Sequence, residues 1–464
     1  MPGNQRIIKQ LQSLVDQGKC RTDDDSLQQY GRDCTKVYEP APLAVVFPTS
    51  LEQVQAIVHF ANQQAIALVP SGGRTGLSGG AVASKGEVVV AFDYMNSISD
   101  FNPVDRTLRC QAGVITERLQ QFAEEQGLFY PVDFASSGSS QIGGNIATNA
   151  GGIKVIRYGL TRDWVVGLTV VTGEGEILRL NNGLAKNATG YDFRHLFIGA
   201  EGTLGFVVEA TIRLTRPPKK LSVLVLGVPE FEAIMSVLNA FQQKIELTAF
   251  EFFSEQALKH VIAHGNVQRP FDTEAPLYAL LEYEVQSAQD EEDVMTLFEN
   301  AVEQGWVTDG VMSQSEAQAK ALWRLREDIS ETISVFTPYK NDIAVCVSKV
   351  PAFLNEVNAV VGEHYPDFEI IWFGHIGDGN VHLNILKPDD LPKDQFFKQC
   401  AKVSQWVFEI VQKYGGSVSA EHGVGMIKKD YLGYTRSEIE ITYMRAMKKV
   451  FDPNGVMNPG KIFD

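Results

Sequence analysis

The sequence predicts an α+β protein of two domains, and two features carry that prediction. In the first half, three glycine-rich tracts are set between strand-like segments. After Arg216-Pro217-Pro218-Lys219-Lys220 the rhythm becomes strands alternating with amphipathic helices. Pro-Pro interrupts helix and sheet alike, so it marks the best boundary. A chain of 464 residues is also long for one simple core, and two or three domains are expected.

The bulk numbers narrow the function. Net charge is −16, which disfavours general nucleic-acid binding and attachment to anionic membrane, since both need basic surface. A small anionic substrate stays open, because local charge can oppose the overall sign. Cys20, Cys34, Cys110, Cys346 and Cys400 are scattered, odd in number and form no C-x-x-C pair. That is the usage of free thiols in a reducing compartment. The stretch MPGNQRIIKQL lacks the apolar core of a signal peptide, and no run approaches bilayer length. A cytoplasmic protein is expected.

Residues 5–16 read as an amphipathic helix, with Ile7, Ile8, Leu11, Leu14 and Val15 on one side. Residues 44–47 read as a strand. Ser50 and Gln53 then form a capping box for a helix carrying Leu51, Val54, Ile57, Val58 and Ala61, and 65–69 is a second strand. The next stretch, PSGGRTGLSGG (70–80), has five glycines in eleven residues. Backbone N–H groups of such a loop can line a concave nest for phosphate; a plain flexible surface loop is the alternative. It is not a Rossmann loop. Only Ala81 to Lys85 separate it from the strand at 87–92, too few for a crossover helix. A helix over 116–126 stops at Gly127. The second tract, 135–152, interleaves Ile142, Ile146 and Ala147 with glycine, serine and asparagine. The third, 199–205, precedes a strand at 206–214. Together the three suggest one large ligand bearing a polyphosphate.

In the second half, strands are expected at 221–228, 247–253, 277–285 and 342–347. Helices are expected at 231–242, 291–303, 316–334, 353–363 and 394–412, on one face of a sheet. Ile371 to Ile385, IWFGHIGDGNVHLNI, reads as a β-hairpin. His375 precedes its turn and His382 follows it. Val381, Leu383 and Ile385 point one way, His382 and Asn384 the other. With Glu421 the two histidines make a two-His, one-carboxylate set suited to Zn²⁺, Mn²⁺ or Fe²⁺. The alternative is a structural hairpin and a salt-bridged glutamate. If 417–422 is extended, Glu421 and His422 face opposite ways, and His422 is free to act as general base. Arg324, Arg326, Glu327 and Asp328 suit a solvated helix face. Alternatively, Arg326 and Lys340 form a carboxylate clamp.

PSGGRTGLSGG, SSQIGGNIATNAGG, GAEGTLG, GHIGDGNVHLNI, SAEHGVG and NPGKIF occur in that order from about residue 40 to the end. In this the chain resembles the FAD-dependent 2-hydroxyacid dehydrogenases of the vanillyl-alcohol-oxidase type, whose members oxidise D-2-hydroxyglutarate, D-lactate or glycolate. The resemblance implies a PCMH/VAO-type FAD-binding domain over 1–219 (core about 38–217). It implies an α+β substrate, or cap, domain with an antiparallel sheet over 220–420, and a segment 421–464 returning to the first domain. FAD would contact Pro70, Ser71, Gly72, Gly73, Arg74, Thr75, Gly76 and Ser78 in the first tract. In the second it would contact Ser137, Gly138, Ile142, Gly143, Gly144, Asn145 and Thr148. Glu201, Gly202, Asn458 and Lys461 would complete its contacts. The first tract has Arg74 and no histidine, so non-covalent FAD is implied.

By the same resemblance His375, His382 and Glu421 hold a divalent metal, with Zn²⁺ the expected ion, and His422 is the catalytic base. Arg326, Ser330, Lys340 and Asn384 contact substrate, Ser330 standing where a threonine is usual. The implied reaction is metal-assisted oxidation of a 2-hydroxy acid to a 2-oxo acid. Two cations, Arg326 and Lys340, favour a dicarboxylate such as D-2-hydroxyglutarate, with D-malate a second substrate, over D-lactate or glycolate. The implied electron acceptor is soluble, an electron-transfer flavoprotein; a homodimer is the assembly considered. Readings from other classes are a metal-dependent hydrolase and a non-catalytic flavin-binding protein.

Overall fold

The computed structural model describes residues 2–265 and 267–464. Two compact units are present. The first takes the chain up to Gly151, then Gly159–Pro217 and Glu421–Asp464; the second takes Gly152–Tyr158 and Pro218–Ala420.

The first unit contains two sheets. Strands β1 (Cys20–Arg21), β2 (Ala44–Val46), β3 (Leu68–Ser71) and β4 (Val88–Ala91) lie in the order β1-β2-β4-β3. β4 is parallel to both neighbours. Such a strand is covered on both faces, and β2 and β4 are buried throughout. The first tract is therefore itself the parallel connection from β3 to β4, made without a helix. Around this sheet pack α1 (Pro2–Leu14) and α2 (Leu51–Gln64), which bury Leu11, Val54, Ile57, Val58 and Ala61. Ser50 Oγ caps the N–H of Gln53, while the Gln53 side chain reaches Thr49 N–H rather than Ser50. The strand expected at 65–69 starts three residues late, because Ala65 is the left-handed cap of α2 and its N–H still bonds Ala61.

The second sheet, of antiparallel pairs, joins β5 (Ile98–Asn102), β6 (Thr107–Gln111), β7 (Val165–Thr172), β8 (Ile177–Leu180) and β9 (Gly205–Arg213) in the order β5-β6-β9-β7-β8. Helix α3 (Thr116–Glu125) follows β6. The second small-residue tract is not all loop: Ile142–Thr148 forms helix α4. Gly143 is needed there because a Cβ would lie 2.7 Å from that of Ala112.

The second unit is built on a seven-stranded sheet of antiparallel pairs. Its strands are β10 (Lys220–Val228), β11 (Leu247–Ser254), β12 (Leu277–Val285), β13 (Asp309–Met312), β14 (Tyr339–Ala344), β15 (Ile370–Gly374) and β16 (Asn380–Ile385). Their order is β13-β10-β12-β11-β15-β16-β14. Helices α5 (Phe231–Gln242), α6 (Glu255–Ala263), α7 (Ala288–Glu303), α8 (Glu316–Glu327), α9 (Ile329–Ser334), α10 (Val350–His364) and α11 (Lys393–Lys413) cover it. They occupy both faces, not one. Phe231 of α5 meets Phe252, and Phe397 of α11 meets Tyr339, on one side. On the other, α6, α8 and α9 bury Leu258, Trp323, Leu325 and Ile329 with Phe253 and Phe373. The strand expected at 342–347 lies at 339–344 instead. Its partner β16 begins at Asn380, opposite Ala344, and the β14–β16 ladder ends there. The helix expected over 316–334 is two, α8 and α9, meeting at Asp328.

Back in the first unit, α12 (Glu438–Phe451) precedes a tail in which Leu68 and Met457 form a parallel bridge. All five cysteines are free. Among the described residues no helix is long and apolar enough to cross a membrane.

Candidate functional site

In the first unit the three glycine tracts and the tail converge. The first tract lies against the second. A Cβ on Gly73 would sit 2.2 Å from Ser139 O, while Gly72 faces Gln141 and Gly144. Arg74, with φ 61°, curls back to donate from Nη1 to Gly72 O at 2.7 Å and covers the Tyr30 ring at 4.3 Å. Asp33 Oδ2 accepts from Gly79 N–H at 2.9 Å; burial raises the Asp33 pKa, opposed by these hydrogen bonds. Asn145 donates to Thr116 Oγ1 at 2.7 Å, so its amide helps to hold α4 in place.

The third tract and the tail close the ring. Glu201, with φ 49°, turns a buried carboxylate onto the N–H groups of Val424 (2.7 Å) and Gly425 (2.8 Å). Burial raises its pKa and those two donors lower it. Its side chain thus clasps the turn just after Glu421 and His422. Asn458, fully buried, donates to Gly80 O (2.9 Å) and Glu201 O (2.7 Å). Lys461 Nζ reaches Val82 O at 2.7 Å, and burial brings its pKa down to about 8.

The residues present fit a large ligand with a polyphosphate. Among the described residues Gln141 Oε1 and Asn458 Oδ1 are buried without a hydrogen-bond partner, and nothing lies within 4 Å of a Cβ built on Gly144. An orphaned buried acceptor costs about 1–3 kcal/mol, so native structures keep few of them. Thr148 Oγ1 is spent on Gly144 O.

In the second unit one face of the sheet collects the polar groups. Directly opposed antiparallel residues share a face, as do positions two apart. β14 and β16 pair Lys340 with Asn384 and Asp342 with His382, which puts all four on one side. Every residue of β16 is buried, His382 and Asn384 included. The His375 and His382 rings stand 5.4 Å apart, nearly perpendicular. His375 Nδ1 lies 2.8 Å from Glu251 Oε1, and His382 Nδ1 lies 3.7 Å from Asp342 Oδ1. A carboxylate only accepts, so Glu251 holds His375 with its proton on Nδ1. Glu251 Oε2 also meets Arg326 Nε at 2.9 Å. Arg326 is buried over the Phe373 ring, so it is not part of a solvated face. Its neighbour Arg324 is half-exposed and pairs with Asp328. Among the described residues Asn384 Nδ2, a buried donor, finds no hydrogen-bond partner. Ser330 and Lys340 are exposed.

Glu421 and His422 open the last segment of the first unit. They do not face opposite ways: the chain bends here, and His422 Nε2 lies 3.5 Å from Glu421 Oε1. The covalent path into them is defined. Ser417 bridges Ala344, and Ala420 N–H reaches Asp342 O at 3.3 Å, so the chain leaves β14 one residue before Glu421.

Glu251 and Asp342 escaped the sequence reading. Glu251 had a signal, a lone acid inside the apolar run LTAFEFF, where a buried charge needs a partner. Asp342 had none.

Residues 42–181 match the family described as FAD binding domain, and residues 217–462 match FAD linked oxidases, C-terminal domain. A D-2-hydroxyglutarate dehydrogenase of Stutzerimonas stutzeri (strain A1501) is 68% identical over 457 residues, 98% of each chain. One from Xanthomonas citri pv. viticola is 54% identical over 98% of this chain and 97% of its own. A mitochondrial D-2-hydroxyglutarate dehydrogenase of Danio rerio is 34% identical over 96% and 83%. Among solved structures, p-cresol methylhydroxylase shares the fold at TM-score 0.78 and 14% identity, covering 100% of this chain and 98% of that one. A 4-ethylphenol oxidase from Gulosibacter chungangensis gives 0.76 at 16% identity, covering 99% and 97%. The chain belongs to the FAD-dependent 2-hydroxyacid dehydrogenases of the vanillyl-alcohol-oxidase (PCMH-type) flavoprotein family.

Proposed function

We propose that this enzyme oxidises D-2-hydroxyglutarate to 2-oxoglutarate, with D-malate a poorer substrate. The first unit would hold FAD non-covalently and the second the substrate, with His375, His382 and Glu421 as ligands of a divalent metal. The observation that carries the chemistry is the pair of adjacent imidazoles, each with its Nδ1 toward a buried carboxylate. The 68% identical relative named for D-2-hydroxyglutarate supports the substrate.

FAD held by the first unit would supply the acceptor for the C2 hydrogen and its electron pair. His375, His382 and Glu421 would hold the divalent metal, which would supply Lewis acidity toward the substrate hydroxyl. His422 takes the hydroxyl proton at an imidazole nitrogen, and the product is the 2-oxo acid. Arg326 Nε faces Glu251 Oε2, and its guanidinium would meet the distal carboxylate together with Lys340. Asn384 Nδ2 and the Ser330 hydroxyl donate to substrate oxygens. On the cofactor side the expected contacts run through Pro70–Gly76, Ser78, Ser137, Gly138, Ile142–Asn145 and Thr148, with Gln141 added by the geometry. The backbone at Glu201 and Gly202, and Asn458 and Lys461, complete them. Electrons then pass to a soluble acceptor, an electron-transfer flavoprotein, in the cytoplasm.

The test is anaerobic bleaching of bound flavin by D- and L-2-hydroxyglutarate, D-malate, D-lactate and glycolate. D-2-hydroxyglutarate should bleach fastest. FAD- and metal-loaded protein that no D-2-hydroxy acid bleaches overturns the proposal. A chelator should abolish bleaching and Zn²⁺ restore it; full activity without metal refutes the metal's part.

A further inference from the structure

One stretch of the second unit interrupts the first along the chain. Gly152–Tyr158 belongs to the second unit, while both of its flanks belong to the first. The flanks are pinned to each other: Thr161 donates to Ala150 O from its N–H at 3.1 Å and from Oγ1 at 2.8 Å. Between them Ile153 and Ile156 are spaced three apart, as are Lys154 and Arg157, and Val155–Tyr158 is a single helical turn. Both cations end on acids of β12. Lys154 Nζ, on a side chain only 12% exposed, pairs with Glu282 Oε1, and Arg157 Nη2 lies 2.7 Å from Glu284 Oε2. In the pairing of β12 with β11, Leu280 stands opposite Glu251. Opposed residues share a face, as do positions two apart, so Glu282 and Glu284 lie on the face of Glu251.

We infer that this segment is a strap that positions the substrate groups of the second unit, with Lys154 and Ile156 as positioning residues; the inference rests on the roles proposed above for Arg326 and His375. Lys154 acts through helix α8. Glu282 Oε1 also accepts from Thr248 Oγ1, and Glu282 Oε2 accepts from Trp323 Nε1 at 2.9 Å. A buried carboxylate is stable only while such donors surround it, so the loss of one disturbs the rest. An indole has a single donor, and its bond to Glu282 therefore sets how Trp323, and α8 with it, is rolled. Arg326 follows three residues later on the same side of that helix, over the Phe373 ring. Ile156 acts on the hairpin turn. A Cβ on Gly377 would lie 2.9 Å from Ile156 Cδ1 and 2.8 Å from Phe250 Cβ, so the turn is seated between these two side chains. Gly377, two residues after His375, donates its N–H to Phe250 O at 3.0 Å. The strap thus touches both the helix that carries the guanidinium and the turn between the two imidazoles.

The test uses full-length FAD-loaded protein. Lys154→Met keeps an apolar stem and removes the charge. It should raise KM for D-2-hydroxyglutarate about tenfold with kcat nearly unchanged. A fold defect alone lowers kcat with the share of intact protein and leaves KM in place. Should Lys154→Met not fold, Lys154→Met with Glu282→Gln removes the uncompensated charge and is read in the same way. Ile156→Ala should speed amide hydrogen exchange over 375–379 about tenfold, with exchange in α5 unchanged, and should weaken Zn²⁺ binding by the same protein. An unchanged KM in a folded Lys154 variant overturns the action on Arg326. Parent-like exchange over 375–379 in Ile156→Ala overturns the hold on the turn. A parent protein that D-2-hydroxyglutarate does not reduce fails the substrate reading alone. Exchange over 323–327 in the Lys154 variant and over 375–379 in Ile156→Ala then decides the strap, and parent-like rates in both overturn it.

Discussion

The glycine cradle of the first unit and the polar sheet face of the second offer binding groups in opposite ways. The cradle works through backbone: Gly73 lies against Ser139, Glu201 and Asn458 hold turns together, and few charged side chains are left over. The sheet face works through side chains, placed by strand register and locked by buried carboxylates. Backbone placement is tolerant of side-chain chemistry but intolerant of an added atom. Side-chain placement has the reverse sensitivity, because register fixes position while the second partner of each group fixes its orientation.

That contrast can be broken experimentally. The largest effect is expected from His422→Asn, which removes the proposed base. Anaerobic flavin reduction should fall about 100- to 10,000-fold with FAD content unchanged. A small loss of rate would remove His422 from the chemistry. Next, Glu251→Ala should cost about 10- to 100-fold in bound-metal affinity and also raise KM, because one carboxylate braces both His375 and Arg326. Glu251→Gln keeps one acceptor but sets an amide donor against a donor. Its losses should split between metal content and KM, and a variant normal in both would show that the brace is idle.

In the cradle, Gly73→Ala should lower apo-protein stability by about 1–3 kcal/mol in urea melts, since its Cβ would meet backbone at 2.2 Å. Gly144→Ala has room and should leave the apo melt alone while weakening FAD binding. Equal melts for the two variants would deny the tight approach. The smallest effect concerns Lys461. Its folded pKa, about 8, lies below the ordinary 10.5, so between these values the unfolded chain binds more protons. Stability of the apo protein must then rise with pH over that window. The gain from pH 8 to pH 9 is about 1 kcal/mol, and it should vanish in Lys461→Met. A matching pH slope in the variant would assign the effect to other groups.

Much of the local architecture was legible because it rests on local rules. The helix at 231–242 and the strand that follows the third glycine tract were placed from pattern alone, the strand to within a residue at each end. So was the hairpin, whose turn needs the left-handed Gly379. What escaped was set by distant partners. The edge strand Asp309–Met312 is short and only partly buried, with no clean alternation to announce it. Helix Ile142–Thr148 contains adjacent glycines that propensity argues against, and close packing on Ala112 overrides that preference. Strand β14 took its limits from β16 rather than from its own residues.

The sequence by itself determined the family, the glycine tracts and the identities of the histidines, since six ordered motifs survive any rearrangement of the chain. Only the tertiary structure decided that Arg326 is buried, that Glu251 serves two masters from the next strand, and that Asp342 stands opposite His382. The reason is physical. A motif is fixed by neighbours along the chain, whereas a carboxylate's partners are chosen by strand order and register, and no local pattern records which strand lies beside which.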